Sequence, residues 1–228
     1  MKIDNILGDN IGYVELIDSM GSDLTIVNNA RVSFANQKEE LDTKDEKLIA
    51  YLIKHKHWSP FRGVVFQFRA KVPLFICRQW WKHHIASSYV DSQNQWNEIS
   101  MRYVDASEFE FYIPSEFRKQ STNNKQCSDG ELDVTADLKA KSIYKHSCKD
   151  AIACYKELIE IGVGREQARG VLPTSIYTEF IWTCSLQALI NFIKLRQGKG
   201  AQDEISLYAD ALLGLAKPIV PITIKEFI

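Results

Sequence analysis

The chain changes from a strand pattern to a helix pattern at Pro73. Residues 64–72 (VVFQFRAKV) are rich in strand-forming side chains, whereas residues 74–81 (LFICRQWW) are apolar and compatible with a helix. Proline is favoured in the first turn of a helix, so the sequence predicts a strand that passes directly into a helix. A fold that accommodates this segment must contain both a sheet and helices.

The rest of the chain predicts an α+β fold, because strand and helix patterns follow one another without the regular alternation of a βαβ repeat. We expect one domain covering residues 1–228, with a mixed or antiparallel sheet and flanking helices. A chain of 228 residues with 45% hydrophobic residues can bury a substantial core. Two further strands are expected, at residues 11–18 and 176–183. Two helices are expected at residues 133–161 and 202–215, and a short helix is expected to end before Pro173. Three more helices are expected to begin at caps, the first at Ser22 or Asp23, the second at a capping box of Thr43 and Glu46, and the third at Ser185.

Three stretches are predicted to lack regular structure. Ser59 and Pro60 indicate a turn after the helix that ends near His57. Residues 87–97 are polar and have no period, and we expect this loop to carry function because it lies beside the densest group of reactive side chains in the chain. Residues 118–130 have the low hydrophobicity of a surface loop.

The composition excludes several classes of protein. The formal net charge of −1 does not suit a protein that coats nucleic acid, so no such partner is expected. The five cysteines form no CxxC pair and are odd in number, which argues against a disulfide framework or a zinc knuckle and favours a reducing compartment. The first ten residues lack a signal-peptide pattern, and no segment approaches membrane-spanning length. We expect a cytoplasmic protein without a membrane partner.

The stretch from Arg78 to Tyr103 carries two arginines, a lysine, two histidines, a glutamate and three tryptophans. On the predicted helix, Arg78 and Lys82 lie one turn apart, with Gln79 and His83 beside them. A cationic face on an otherwise apolar helix indicates an anionic ligand, with phosphate as the first candidate. The alternative is a helix face that is simply solvated.

This stretch resembles the signature of the flavin-dependent thymidylate synthases, in which Arg-His-Arg is followed by Ser and then by Arg-Tyr. The matching pieces here are Lys82-His83-His84, Ala86-Ser87 and residues 97–103 (NEISMRY). Further matches in the same order are ARVSF, KHKHWSPF, KVPLFICRQWW and ARGVLPTSIYTEFIWT, at residues 30–34, 54–61, 71–81 and 168–183.

The chain departs from the family pattern at four places. Lys82 and His84 replace the first and third signature arginines, and Gln187 stands where an arginine is frequent. A lysine still offers a point charge and a histidine one donor, but two-point recognition by guanidinium is lost. The fourth departure is an insertion placed at residues 88–95, since 15 residues separate His84 from Ser100, about twice the family spacing.

The resemblance implies an enzyme that reductively methylates deoxyuridine monophosphate to thymidine monophosphate. Methylenetetrahydrofolate would donate the carbon, FAD would carry the hydride, and NADPH would be the reductant. Family members are homotetramers, which implies the same assembly here. Two alternatives stay open: a related flavoenzyme that acts on another pyrimidine nucleotide, and a non-catalytic regulator that binds a nucleotide or flavin.

The resemblance also implies the site residues. The guanidinium of Arg196 would place a positive charge against the pyrimidine and thereby favour the electron-rich ring that attacks the carbon donor. The flavin would contact His57, Ser59, Lys82, His83, His84, Glu98, Ser185, Leu186, Gln187 and Asn191. The nucleotide would contact Gln79, Trp80, Trp81, Lys82, Glu98, Ile99, Ser100, Met101, Arg102, Arg169 and Arg196, with Arg102 or Arg169 on its phosphate.

Several of these residues also have plainer interpretations. Ser100 lacks the sequence context of a nucleophile and is better interpreted as a hydrogen-bonding serine. Trp80 and Trp81 are expected in the core, and Trp96 is undecided between core and ligand. The histidine spacings H-x-H and H-H lack the partners of a zinc site, so no metal is expected.

Overall fold

The computed structural model describes residues 1–83 and 96–227. Within these ranges the strands are β1 (Lys2–Asp4), β2 (Tyr13–Met20), β3 (Val65–Pro73), β4 (Trp96–Glu98), β5 (Arg118–Gln120), β6 (Ser128–Glu131) and β7 (Tyr177–Ser185). Five of them form an antiparallel sheet in the order β1-β2-β3-β7-β4, and β5 and β6 form a separate hairpin. The helices are α1 (Asp23–Arg31), α2 (Thr43–Lys54), α3 (Ser59–Arg62), α4 (Leu74–Trp80), α5 (Val134–Glu160), α6 (Arg165–Ala168), α7 (Leu186–Arg196), α8 (Asp203–Ala216) and α9 (Pro221–Phe227).

The central strands β3 and β7 have one buried and one polar face. On the buried face Phe68 lies opposite Trp182 in the register of the two strands, and both side chains are fully buried. On the other face Arg69 Nε donates to Glu179 Oε1 over 2.7 Å. Because successive side chains of a strand point to opposite sides of the sheet, the apolar face can pack against helices while the polar face stays uncovered.

The main core lies between the buried face of the sheet and the surrounding helices. Its members come mainly from the sheet and from α1, α2, α3, α4, α7, α8 and α9. Trp80 of α4 packs against Phe192 of α7 with ring centroids 4.8 Å apart. A smaller cluster around Tyr155 lies under the 27-residue helix α5.

The predicted α+β class is confirmed, and the sheet is antiparallel. The strand-to-helix junction at Pro73 is also confirmed, since β3 ends at this residue and α4 begins at the next. None of the helices within the described ranges combines the length and the apolar character required to span a membrane.

Four local predictions were wrong. Ser59 and Pro60 begin the short helix α3 rather than a simple turn. The predicted surface loop at 118–130 contains the β5–β6 hairpin, which Arg118 anchors to α8 by donating to both carboxylate oxygens of Glu204 at 3.0 Å. The cap of α2 is Asp42, which forms a capping box with Asp45, instead of the predicted Thr43 and Glu46.

The fourth error concerns the loop predicted at 87–97, because Trp96–Glu98 form the edge strand β4 and pair with β7. In addition, no sequence pattern predicted β1 or α9. Residues 84–95, which include His84 and the insertion, lie outside the described residues.

Candidate functional site

Arg196, the last residue of α7, joins the end of α7 to the end of α4. Its Nε donates to His83 Nε2 over 3.1 Å, and its Nη2 donates to the carbonyl oxygen of Gln79 over 2.6 Å. Burial lowers the pKa of the Arg196 guanidinium, although an arginine stays charged at neutral pH. The imidazole of His83 is the acceptor in the first of these hydrogen bonds.

The two helices meet because of the way their strands pair. Pro73 lies opposite Tyr177 and Val65 opposite Ser185, so α4 and α7 leave opposite ends of the β3–β7 pair. Both helices fold back over the buried face, and their carboxyl ends therefore approach each other. The carbonyl of Gln79 lies in the last turn of α4, where carbonyl groups lack helical partners and a cation is stabilising.

The remaining positions of α4 separate into core and surface residues. Trp80 has no exposed surface, so the prediction that it belongs to the core is confirmed, and its ring offers no area to a ligand in this structure. Trp81 is half-buried, while Arg78 and Lys82 are exposed. The side chain of Gln79 is engaged with α8, since its Nε2 donates to Gln202 Oε1 over 2.6 Å.

Glu98 ends the edge strand β4 and is held by β7. Its Oε1 accepts a hydrogen bond of 2.7 Å from Thr178 Oγ1. Part of Glu98 is exposed, yet the protein atoms around the carboxyl group remove enough water to raise its pKa above the ordinary 4.5. The hydrogen bond from Thr178 and the positive charge of Arg169 oppose this shift in the pKa. Glu98 and Arg169, 71 positions apart in the chain, therefore share one electrostatic environment.

The segment after β4 carries a second group of predicted nucleotide contacts. Ser100 Oγ accepts from the backbone N–H of Arg102 over 3.3 Å and lies 3.5 Å from its Nε. The guanidinium of Arg102 stays exposed, whereas Met101 is buried in the smaller cluster with Tyr155. The backbone N–H of Ile99 donates to the carbonyl of Glu179 over 2.9 Å, which fixes the segment to β7.

Six of the predicted flavin contacts lie in or near α3 and the first turns of α7, whereas Lys82 and His83 follow α4 and Glu98 ends β4. Ser185 caps α7 as predicted, because its Oγ accepts from the N–H of Ala188 over 3.2 Å. Ser185 and Leu186 are at most 1% exposed, so both lie in the core at the start of α7. Gln187 is also buried and accepts a hydrogen bond of 2.7 Å from Arg62 Nε.

Exposed residues and a cavity border the region around α3 and the beginning of α7. Ser59 begins α3 and lines a cavity of about 640 Å³ between α1 and α3. His57 is exposed in the connection before α3, and Asn191 is half-buried one turn along α7. Arg196 lies eleven positions after Ser185 along α7, a rise of about 16 Å. Helix α7 therefore connects the predicted flavin region with the Arg196 cluster.

Sequence reasoning missed three residues that organise these regions. Arg62, Thr178 and Gln202 hydrogen-bond the predicted site residues Gln187, Glu98 and Gln79. No local pattern identifies them, since their partners lie 125, 80 and 123 positions away in the chain. A further cavity of about 680 Å³, between the β5–β6 hairpin and α8, is bordered by Gln202.

Comparison with protein families gives a match over most of the chain. A family model described as "Thymidylate synthase complementing protein" matches residues 15–222. A flavin-dependent thymidylate synthase from a strain of Thermus thermophilus is 44% identical over 216 residues, which cover 95% of this chain and 75% of the relative. The enzyme of that name from Thermosipho africanus is 40% identical over 217 residues, which cover 95% of this chain and 91% of the relative.

Solved structures also match most of the chain. The structure of PolB, a UMP/dUMP methylase from Streptomyces cacaoi bound with 5-Br UMP, superposes with a TM-score of 0.79 at 28% identity and covers 95% of this chain and 93% of that one. A second structure of PolB, bound with 5-Br dUMP, gives a TM-score of 0.78 at 29% identity and covers 95% of this chain and 94% of that one. On the family match and these identities, the chain belongs to the flavin-dependent thymidylate synthase family.

Proposed function

We propose that the protein methylates deoxyuridine monophosphate to thymidine monophosphate, with 5,10-methylenetetrahydrofolate as carbon donor, FAD as hydride carrier and NADPH as reductant. The observation that carries this proposal is the cluster in which His83 and the carbonyl of Gln79 hold the guanidinium of Arg196. Three residues that the family resemblance assigns to the site thus meet, although Arg196 is more than 100 positions from the other two.

The chemistry of the side chains fits FAD. This cofactor carries an anionic diphosphate, and Lys82 and Arg62 are two of the exposed cations that form no ion pair with another described residue. Ser59 adds an exposed hydroxyl group beside a cavity of about 640 Å³. Bound FAD would supply the hydride chemistry, which leaves binding, orientation and exclusion of water to the protein.

Arg196 would act on the pyrimidine as a fixed cation. Two of its nitrogens are already engaged, so the direction of the guanidinium plane is set before substrate arrives. A preorganised charge in a half-buried position stabilises negative charge on the pyrimidine N3 and its carbonyl oxygens better than a mobile surface charge does. Carbon 5 of the ring would then be a better nucleophile towards the carbon donor.

The exposed arginines beside Glu98 would bind the nucleotide phosphate. Arg102 and Arg169 both keep guanidinium surface open to solvent, and Arg169 lies in the electrostatic environment of Glu98. Guanidinium binds phosphate with two parallel hydrogen bonds, which fixes orientation as well as position. Glu98 and Ser100 would direct the ribose and base through hydrogen bonds.

We further propose that the protein works as a homotetramer in the cytoplasm. The family resemblance supports this assembly, and the described chain exposes large apolar side chains that a partner could cover, including Val32 at 71% and Phe34 at 82%. Light scattering of the purified protein would give the mass of the assembly. A monomeric mass of 26.1 kDa would contradict the tetramer.

The activity can be tested by release of tritium from deoxyuridine monophosphate labelled at C5. The assay contains FAD, NADPH and methylenetetrahydrofolate, each of which is then omitted in turn. We expect release that depends on all three, because methyl transfer replaces the hydrogen at C5. A protein that binds flavin but releases no tritium would contradict the proposal.

A second substrate, uridine monophosphate, is favoured by one observation. The structurally similar enzyme from Streptomyces cacaoi is named a UMP/dUMP methylase and was solved with both 5-Br UMP and 5-Br dUMP. Competition between the two nucleotides in the tritium assay would measure the preference.

Lys82→Arg combined with His84→Arg would test the remaining alternative, since a large gain from near-zero activity would indicate a regulator that has lost turnover.

A further inference from the structure

Gln187 stands where the family resemblance leads us to expect an arginine, and its side-chain amide is hydrogen-bonded to Arg62. Gln187 is 5% exposed, and its Oε1 accepts a hydrogen bond of 2.7 Å from Arg62 Nε. A buried amide oxygen needs a donor, and this donor carries a full charge. The positive charge missing from position 187 is therefore present beside it, supplied by a different helix.

The guanidinium of Arg62 has donors left for a ligand. Its Nε is directed to Gln187, while Arg62 as a whole is exposed and pairs with no carboxylate in the described part of the chain. The two terminal nitrogens thus remain available, held in the plane that the bond to Gln187 sets. A guanidinium fixed at one edge and open at the other suits two-point binding of an anion.

The backbone that carries Arg62 is anchored on both sides. Pro60 and Phe61 are buried, and Asn29 Nδ2 donates to the carbonyl of Pro60 over 3.1 Å. Two residues after Arg62, the carbonyl of Val64 accepts from the N–H of Leu186 over 2.8 Å. Helix α3 therefore sits in a fixed position against the first turn of α7, and so does the guanidinium at its end.

We propose that Arg62 binds the diphosphate of FAD in place of an arginine at position 187. The proposal rests on the proposed function and adds a ligand-binding residue to it. Arg62 is three positions from Ser59 on one helix and bonded to Gln187 on another, and the resemblance assigns both of these residues to the flavin. The diphosphate is the charged group of FAD at neutral pH, and it is the group that an unpaired guanidinium would select.

The test is the affinity of the full-length protein for FAD, followed by flavin fluorescence. Arg62→Gln is expected to raise the Kd about tenfold or more, and Arg62→Lys to raise it less, because a lysine keeps the charge but not the planar fork. The affinity of the unmodified protein should also fall more steeply with added salt than that of Arg62→Gln. Arg165→Gln, which removes another exposed arginine, is the matched control and should leave the Kd unchanged.

A charge exchange separates ligand binding from a purely structural bond. In the double variant Arg62→Gln with Gln187→Arg, the guanidinium returns from α7 and the affinity for FAD should recover to within about threefold of the original. The melting temperature of the flavin-free variants should stay near that of the unmodified protein. Unchanged FAD affinity in Arg62→Gln would overturn the proposal, and so would a loss that the double variant does not recover.

The outcomes also distinguish this inference from the proposed function. If the unmodified protein binds FAD through Arg62 but releases no tritium from labelled deoxyuridine monophosphate, the inference stands and the proposed reaction fails. If tritium is released and Arg62→Gln binds FAD normally, the reaction stands and the inference fails. A protein that does not bind FAD at all overturns both.

Discussion

Two acceptors at the end of α4 hold the guanidinium of Arg196. The imidazole of His83 accepts from one edge and the carbonyl of Gln79 accepts from another, so these two contacts fix the cation without an acidic partner. A carboxylate in their place would neutralise the charge, whereas a carbonyl and an imidazole leave it available to a ligand. The geometry and the charge of Arg196 therefore depend on the guanidinium group itself.

Arg196→Lys should lower kcat for tritium release about 100-fold, the scale of losing one preorganised donor in an active site. One ammonium group cannot hold both contacts in the same plane. The Kd for FAD and the melting temperature should change little, since Arg196 is half-buried at a helix end. Arg165→Lys is the control, and a kcat for Arg196→Lys equal to that of the unmodified protein would contradict the role of Arg196.

Glu98 gives a pH dependence whose direction follows from its environment. Partial burial raises the pKa of this carboxyl group above its ordinary 4.5, so the folded state binds the proton more tightly than the unfolded state. The stabilising effect of that proton is complete below about pH 4 and is lost as the pH rises through the raised pKa.

Glu98→Gln removes this titration. Relative to the unmodified protein, the variant should gain melting temperature as the pH rises from about 4 to 7, with both proteins measured without flavin. Glu39→Gln, at an exposed position, serves as the control. Parallel melting profiles for Glu98→Gln and the unmodified protein would show that the carboxyl group is not desolvated as the structure indicates.

At the scale of elements, a buried carboxylate joins the first helix to the last. Asp23 lies in the first turn of α1 and is 2% exposed. Its two oxygens accept hydrogen bonds of 2.8 and 3.1 Å from the N–H groups of Ile222 and Thr223, and one of 2.6 Å from Thr223 Oγ1. The carboxylate therefore satisfies the amino end of α9 from a position about 200 residues earlier.

Asp23→Ala should reduce the free energy of unfolding by about 3 kcal/mol, because three buried donors lose their charged acceptor. Urea denaturation followed by circular dichroism would measure the change. Asp150→Ala, an exposed position on α5, should change the free energy by less than about 0.5 kcal/mol. A loss from Asp23→Ala as small as that of the control would mean that α9 does not depend on this cap.

At the scale of the whole molecule, one core joins the sheet to the helices that carry the site. Trp80 contacts Trp182 of the sheet and Phe192 of α7, with ring centroids 5.6 and 4.8 Å away. The neighbouring Trp81 is half-buried and lies 5.9 Å from Phe180. Trp80 therefore contributes more buried contact to the core than the adjacent Trp81 does.

Trp80→Ala should cost about 3–5 kcal/mol of unfolding free energy, and Trp81→Ala about half as much, because the cavity left at position 80 is enclosed on all sides. Guanidinium denaturation of the flavin-free protein would compare the two variants. If Trp81→Ala proved the more destabilising, the described position of α4 over the sheet would be wrong.

Local patterns predicted the elements whose apolar residues repeat along the chain. The positions of β2, β3, β7 and the longer helices could be read from period and caps, since these signals lie within a few residues of one another. The edge strand β4, the β5–β6 hairpin and α9 were missed because each depends on a distant partner. Trp96–Glu98 pair with β7, Arg118 pairs with Glu204, and α9 is capped by Asp23.

The sequence by itself determined the class of fold, the family resemblance and the residue types of the site. Only the tertiary structure decided which of these residues meet. The antiparallel register of β3 and β7 directs α4 and α7 back over one face of the sheet, which brings Arg196 to Gln79 across 117 positions. The same packing sets Arg62 against Gln187 across 125 positions, a contact that no local pattern encodes because it requires two strands and two helices to be in place first.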